Sequence, residues 1–434
     1  MFLLKQWLIK QKNNHHLIVS ARCQSKSIVM KKWIIIGVLI RLTIIPITYH
    51  SDTYFFIFSN FLLTSKQLWF SIYDFLGSSP EPLAQVLPPY AFTYPPLAIL
   101  IGGIYSNLLY RLSDLNFIRD FILNPDQNLN HLQFYWLLFL TKLPYLIPDL
   151  LTGYFLAQIV PSKHKIKTFI FWMLNPITLY ATFAIGQFDI YPVLATVLAV
   201  YFFKQQKTYH AVISLGIGGA FKLFPLLFLP LIILKSGKNL RHKTLLALTG
   251  FLAYFIPILP YLNSPGFRTY ALLAPQTDKM LFAKIPITGA EYLSYFIVGY
   301  LFIVIFSYFN KINFWKSITI VLLLFFSLTH FHPQWFIWLS PWLIILFINY
   351  PFTQSLITGM ILCYTLIVFS FESSLNWGIF IWNQNAPPLI NFLPHFIQTE
   401  NYKYLSIIRS IFAGINYYLI FILGKSKSII RETS

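Results

Sequence analysis

The sequence predicts an all-α polytopic membrane protein with about 12 transmembrane helices and a long first outer loop. Three observations lead there. Of 434 residues, 57% are hydrophobic and 10% charged, with a mean hydropathy of +0.63; a soluble domain averages about 25% charged residues. Long apolar runs recur, among them "WIIIGVLIRLTIIPITY", "TLLALTGFLAYFIPILPYL" and "SLITGMILCYTLIVFSF". Lys and Arg gather in short segments between apolar runs, "KSKSIVMKK", "PSKHKIK", "KQQK", "KSGKNLRHK" and "KSKSIIR", which is how cytoplasmic loops are marked. No stretch of alternating polarity suggests a β-barrel, and lipid leaves helices as the other way to satisfy the backbone.

The net charge of +19 would suit nucleic acid, but the cations lie in loops between apolar runs, so nucleic acid is not an expected partner. Cys23 lies in the basic N-terminal stretch and Cys363 inside an apolar run, a pattern that gives no disulfide framework. Residues 1–29 carry no compact apolar region followed by a small-residue cleavage site. "MKKWIIIGVLIRL" from Met30 reads as a natural membrane-protein start. Two regions result: a cytoplasmic arm, 1–30, and a multi-spanning membrane domain, 31–434.

With the basic loops inside, the elements follow in order. Span 1 is about 33–50, the first outer loop 51–130, and span 2 about 131–160, ending at "PSKHKIK". Spans 3 and 4, about 168–186 and 190–204, meet at an outer turn that holds Asp189. Residues 209–234 lie between two basic loops, so parity makes them two short helices with Lys222 at the outer turn. Spans 7 to 12 run at about 244–262, 292–309, 317–331, 335–349, 354–371 and 405–424, with both termini cytoplasmic. The segment 95–112, "PPLAILIGGIYSNLLYRL", would break the parity if it crossed. Its "YPP" entry favours a re-entrant or membrane-surface helix.

The topology rests on the basic segments and is independent of the acids. Of the 13, all but Glu432 fall on the outer side or at outer span ends, Glu81 and Glu400 among them. Acids contribute little to orientation, so this asymmetry points to outward chemistry. Asp189 stands out, because an ionised carboxylate at the bilayer centre costs about 2.5–3.5 kcal/mol. Asp52 follows span 1 directly in "YHSDTYFF" and faces the same side. Two carboxylates at neighbouring span ends can flank one reacting centre, and one held near a hydroxyl can act as general base.

Other polar residues join them. Lys222 in "AFKLFPL" is a cation within an apolar run, and His332 and Gln334 in "HFHPQWFIW" lie at the outer end of a span. Lys142 and Asp149 in "TKLPYLIPDLL" are seven apart, so two helical turns would set them on one face, either as a structural pair or as part of a site. Arg41, mid-span, reads as a structural tie. His330 reads as an interface histidine. Trp69, Trp335, Trp338 and Trp342 read as an interfacial aromatic belt. Tyr54, Tyr90 and Tyr94 divide evenly between stacking on a substrate and lining the interface.

Five places in order now carry a resemblance: "RLTIIPITYHSDTYFFIFSNFL" with "PPYAFTYPPLAIL"; "KLPYLIPDLL"; "LNPITLYATFAIGQFDIYPVLA"; "FKLFPLLFLPLIIL"; and "HPQWFIWLSPWLI". They run from residue 41 to about 345. The chain resembles the GT-C superfamily of polytopic glycosyltransferases, which take a sugar from a polyprenyl phosphate on the outer or lumenal side. Within it, the chain resembles the catalytic subunit of the first GPI mannosyltransferase and bacterial polyprenol-phosphate-mannose-dependent mannosyltransferases.

The resemblance implies a GT-C-type fold, with the first outer loop carrying a catalytic acid, matched by Asp52, and the second outer turn another, matched by Asp189. It implies a multi-pass protein of the plasma membrane, with mannose as the family's common sugar. Many relatives carry an acid pair in the first loop. Here it reads Ser51-Asp52-Thr53-Tyr54, and one carboxylate is a poor divalent-cation site. No cofactor is expected, with a divalent metal left open.

The mechanism that follows places the donor phosphate beside Lys222. Asp52 takes the proton of an acceptor hydroxyl as it attacks the sugar C1 with inversion. Asp189 orients the acceptor or stabilises charge at C1. His332, Gln334, Gln187, Lys142, Tyr54 and Tyr94 are the further substrate-binding candidates. The partners are a polyprenyl-phosphate sugar, a glycan or glycolipid acceptor, membrane lipid and, as in the GPI enzyme, a small partner subunit. Two alternatives stand beside this one. A secondary transporter would show an internal repeat and mid-span acids, and neither is found. A polymerase or ligase of lipid-linked glycans would use the late loop 372–404.

Overall fold

The computed structural model describes residues 29–78, 93–236, 239–310, 312–384 and 401–425. The expectations for the N-terminal arm with Cys23, and for Glu81, Tyr90, Glu400 and Glu432, lie outside them.

Apolar runs become helices throughout. Helix α1 (29–47) leads into α2 (Ser51–Ser65), α3 (Pro96–Leu109) and α4 (Leu132–Ile159). Then come α5 (Lys165–Met173), α6 (Ile190–Lys204), α7 (Thr208–Phe221), α8 (Leu229–Lys235) and α9 (Leu240–Phe255). The last five are α10 (Tyr295–Phe309), α11 (Phe314–Leu328), α12 (Ser340–Asn349), α13 (Gln354–Phe369) and α14 (Asn401–Lys425). A small antiparallel hairpin, β1 (Lys284–Pro286) with β2 (Tyr292–Ser294), precedes α10.

Among the described residues, three helices are long and apolar enough to cross a membrane by length and composition: Leu132–Ile159, Pro351–Phe369 and Lys403–Lys425. Shorter apolar helices, such as Ile190–Lys204 and Phe314–Leu328, occupy other stretches read as spans. Large apolar side chains face outward in helical stripes: Leu245, Leu248, Phe251, Leu252 and Ile256, then Ile297, Val298, Leu301, Phe302 and Ile305. Inside, Arg41, Lys142, Asp149 and Asp189 are fully buried. Apolar outside and paired charge inside is the arrangement of a membrane protein.

The stretch 51–130 is more ordered than a loop. Its described part folds into α2, a short helix Ile72–Gly77, α3 and a helix Leu115–Leu123. Its side chains build their own core, with Tyr54, Ile57, Phe58, Ile118 and Phe121 against Phe134 and Leu138. Helix α3 has 14 residues, about 21 Å at 1.5 Å per residue. That is short of the about 30 Å of a bilayer's hydrocarbon core.

A larger core draws on α4 to α14, joined by Ile45 of α1, Phe56 of α2 and Ala98 of α3. Helices α6 and α7 pack as a hairpin, and α7 packs on α9. Small residues permit this closeness: a Cβ on Gly216 would lie 2.3 Å from the Gly250 carbonyl oxygen of α9.

Buried charges tie the first helices together. Arg41 donates to Asp149 at 2.6 Å and to the carbonyls of Gly37 and Met173, and Trp172 donates to Asp149 at 3.0 Å. Arg41 is thus the structural tie that its mid-span position suggests. Of the two readings of Lys142 and Asp149, the structural pair does not form. A 3-10 turn at Leu143–Tyr145, begun by Pro144, interrupts α4 between them and changes the register of its two halves.

Candidate active site

Three breaks in helical structure line one cavity, and another packs directly behind it. The first is the step from α1 to α2. His50 is extended and caps α2, accepting the Asp52 backbone N–H on Nδ1 at 3.1 Å. Asp52 therefore sits in the first turn, where the helix favours negative charge.

The second break is the turn between α5 and α6. Asn175 caps a short helix by accepting the N–H of Ile177, and a π-helical stretch follows at Leu179–Ala184. Such wide turns are often found at functional sites. Gly186 follows with φ +84, a region that glycine enters without steric cost. A Cβ there would also lie 2.4 Å from Thr53 Oγ1. This glycine lets Gln187 approach α2.

The third break ends α7. Lys222 is extended, and Pro225 opens the 3-10 turn Phe224–Phe228. The fourth is another 3-10 turn, Pro333–Trp338, entered through extended His332. Residues three apart eclipse in such a turn. Trp335 and Trp338 accordingly stack, with ring centroids 5.1 Å apart.

The cavity between these breaks has a volume of about 360 Å³, within the range of about 300–1,000 Å³ common for small-ligand sites. Its polar wall carries His50, Asp52, Tyr94, Lys222, Thr277, His332, Gln334 and Glu372. Its apolar wall carries Leu223, Phe224, Leu227, Ala271, Ala274, Met280 and Phe325 with the two tryptophans.

Asp52 is 22% exposed. Its Oδ2 accepts from the amides of Gln187 and, at 3.2 Å, Gln334. Both partners are neutral amides, so they orient the carboxylate without supplying a countercharge. Asp189 is fully buried and does not line the cavity. Its two oxygens accept from Lys222 at 2.8 and 2.9 Å, and Trp338 Nε1 also donates to it. Asp189 thus meets the cavity through Lys222 and Trp338.

Around the Lys222 ammonium stand the rings of Tyr94, Phe188, Trp335 and Trp338, all within 5.5 Å. Each such contact is worth about 0.5–2 kcal/mol, with the larger values where water is excluded.

The sequence-predicted residues therefore divide. The structure brings Asp52, Gln187, Lys222, Gln334, His332 and Tyr94 together, with Asp189 behind Lys222. It does not bring Lys142 or Tyr54 to the cavity. Lys142 is fully buried and donates to the carbonyls of Thr48, Phe183 and Ala184 at 2.7, 3.1 and 2.9 Å. It holds the end of α1 against the π-helical turn. Tyr54 donates its hydroxyl to the Ile122 carbonyl at 2.7 Å, inside the core of the 51–130 stretch. Trp335, Trp338 and Trp342 are 8%, 4% and 0% exposed, so they form a wall and its backing, where a membrane-interface belt was expected. The 3-10 turn holds the first two inward.

Sequence reasoning missed Lys279. It lies in a 3-10 turn, Pro275–Leu281, with its ammonium 4.8 Å over the Trp335 ring whose other neighbour is Lys222. Among the described residues no carboxylate pairs with it. Partial burial, aided by the Lys222 charge, pulls its pKa down to about 8. Burial, with Lys279 next in effect, pulls His332 down to about 4. His332 is thus a neutral hydrogen-bonding group at pH 7. Nothing in "APQTDKM" marks Lys279, since an exposed-loop lysine is the commonest kind. His50 and Glu372 were also missed, although His50 stands two residues before Asp52. Among the described residues no group of three or more His, Cys, Asp or Glu is placed to hold a metal ion.

Residues 131–289 match the family model of glycosyltransferase family 87, a GT-C-type family. The matched stretch contains Asp189, Lys222 and Lys279 and leaves out Asp52, His332 and Gln334. The match supports a glycosyltransferase, with a sugar donor and an acceptor as substrates. Neither the curated proteins nor the solved structures yield a match.

Proposed function

We propose that this membrane glycosyltransferase moves a hexose, read as mannose, from a polyprenyl phosphate to a hydroxyl of a glycan or glycolipid acceptor, with inversion at C1. The single observation that carries this reading is the pairing of unlike groups on one cavity. A partly exposed carboxylate held by two neutral amides shares it with Lys222, and Lys279 stands against the Trp335 ring of the same wall.

The donor phosphate lies against Lys279 and Lys222. Lys222 is already neutralised by Asp189, so Lys279 supplies most of the uncompensated positive charge. The apolar wall at Leu223, Leu227 and Met280 receives the first isoprene units. The sugar lies between the tryptophans and Tyr94, with Gln334 and neutral His332 on its hydroxyls. Asp52 takes the acceptor proton, the acceptor oxygen bonds to C1, and the C1–O bond to phosphate breaks with its electron pair on the phosphate. Charge complementarity already in place at that moment is the main catalytic resource. Asp189 acts through Lys222 and Trp338, which it orients.

We place this site on the outer side of the plasma membrane, with about twelve crossings and both termini cytoplasmic. The basic segments support that orientation. A small partner subunit rests on the resemblance to the GPI enzyme alone.

The reading is tested by incubating purified protein in nanodiscs with a panel of polyprenyl-phosphate hexoses and an acceptor extract. Consumption of polyprenyl-phosphate mannose, and not of the glucose donor, is expected. If no lipid-phosphate donor is consumed, the donor class is wrong.

A further inference from the structure

We propose that the β1–β2 hairpin rests on the membrane beside the cavity, with one face against lipid, and holds the Lys279 turn at the level of the lipid phosphates. The link to donor binding rests on the reading of Lys279 as a phosphate contact. The contact with lipid does not.

The register sorts the hairpin's side chains. Ile285 stands opposite Leu293, flanked by the pairs Lys284–Ser294 and Pro286–Tyr292. The Ile287 N–H donates to the Glu291 carbonyl at 2.9 Å and continues the ladder. Side chains alternate along a strand, so Ile285, Ile287 and Leu293 share one face. They are 44%, 58% and 49% exposed. On the other face Ser294 is buried, and the Lys284 ammonium stands 4.3 Å over the Tyr292 ring.

Continuity says what covers the apolar face. Strand β2 runs straight into α10, whose outward stripe starts at Ile297 and Val298, and the Tyr295 N–H donates to the Ala283 carbonyl at 3.0 Å. Phe282, just before β1, is also exposed. The apolar surface therefore passes from the end of the Lys279 turn, through the hairpin, to a helix that faces lipid.

The backbone sets the depth. The sheet has two strands, so each has an outer edge without a sheet partner, and hydrocarbon does not tolerate such edges. Glu291 closes the tip, where its N–H donates to Thr288 Oγ1 at 3.2 Å, and its charge belongs in water. The hairpin thus lies among the headgroups, with its apolar side chains directed to the acyl chains. Lys284 and Tyr292 suit that level, since lysine carries its charge out on an apolar stem and tyrosine is enriched at membrane interfaces.

One serine ties this surface to the cavity. Ser294 donates to the Met280 carbonyl at 2.8 Å and accepts the Ile297 N–H at 3.3 Å, which caps α10. Met280 lines the cavity, and Lys279 is its neighbour in the chain. The seat of the hairpin in the leaflet thereby fixes the height of Lys279. A donor that diffuses within the leaflet meets the ammonium at the depth of its own phosphate.

The test uses full-length protein with Cys23 and Cys363 replaced by alanine. Ile287→Cys and Leu293→Cys are labelled separately with the fluorophore NBD in phosphatidylcholine nanodiscs. A doxyl group high on the lipid acyl chain should quench both labels more strongly than aqueous iodide does. Stronger quenching by iodide at both positions would put the face in water and overturn the proposal. The donor link is read from Leu293→Asp. Its donor KM should rise at least about fivefold, with kcat and the acceptor KM within about twofold of wild type. A donor KM at the wild-type value would overturn that link. The two readings fail separately: a wild-type protein that consumes no lipid-phosphate donor removes the donor class, while the quenching still decides whether the hairpin rests on lipid.

Discussion

Lys222 closes a two-point ion pair with Asp189 at 2.8 and 2.9 Å, and the carboxylate is fully buried. Removing one partner of such a pair costs about 3–5 kcal/mol, because the other charge is left without compensation. Lys222→Met and Asp189→Leu should each lower the thermal unfolding midpoint in detergent markedly, while the double variant should lie above at least one single variant. If the two losses simply add, the residues are not coupled and the site has been misread.

Lys279 gives a prediction in pH. With its pKa near 8, it is protonated below that value and neutral above it. A phosphate binds the protonated form, so the donor KM should be flat up to about pH 8 and rise beyond it, while the acceptor KM stays level. Lys279→Arg should remove the rise because guanidinium stays charged. Lys279→Gln should raise the donor KM at pH 7 by the worth of one charge-assisted hydrogen bond, about 1.5–3 kcal/mol. A donor KM unchanged by Lys279→Gln would leave this lysine outside the site.

The proposed orientation is checked with cysteines at positions 164 and 270 and a membrane-impermeant thiol reagent on intact cells. His164→Cys lies in the basic segment and should be protected. Tyr270→Cys should be labelled. Labelling at 164 from outside would put the cavity on the cytoplasmic face.

Much of this site was legible in the sequence because it lies at breaks between apolar helices. Lys222 and Asp189 are single charges between apolar runs, and Asp52 closes the first apolar run; a charge at such a place needs a partner or a task. The pairing was not legible. Lys142 and Asp149 suggested each other by helical spacing, yet Pro144 shifts the register, and Asp149 finds Arg41 on a separate helix. Arg41 and Asp149 are 108 residues apart, a distance over which local periodicity carries no information. The tryptophans of "HPQWFIWLSPW" read as a belt because composition does not distinguish a 3-10 turn that faces inward from a helix that faces lipid. Lys279 was invisible for a related reason: what makes it a site residue is the Trp335 ring, far along the chain.

The central claim is that Asp52 removes the acceptor proton. Donor consumption by Asp52→Asn in nanodiscs, with donor binding measured on the same sample, tests it most directly. The substitution keeps shape and removes the base. Turnover should fall by a factor of about 10²–10⁴ while donor binding stays at the wild-type level. Near wild-type turnover by Asp52→Asn would contradict the account.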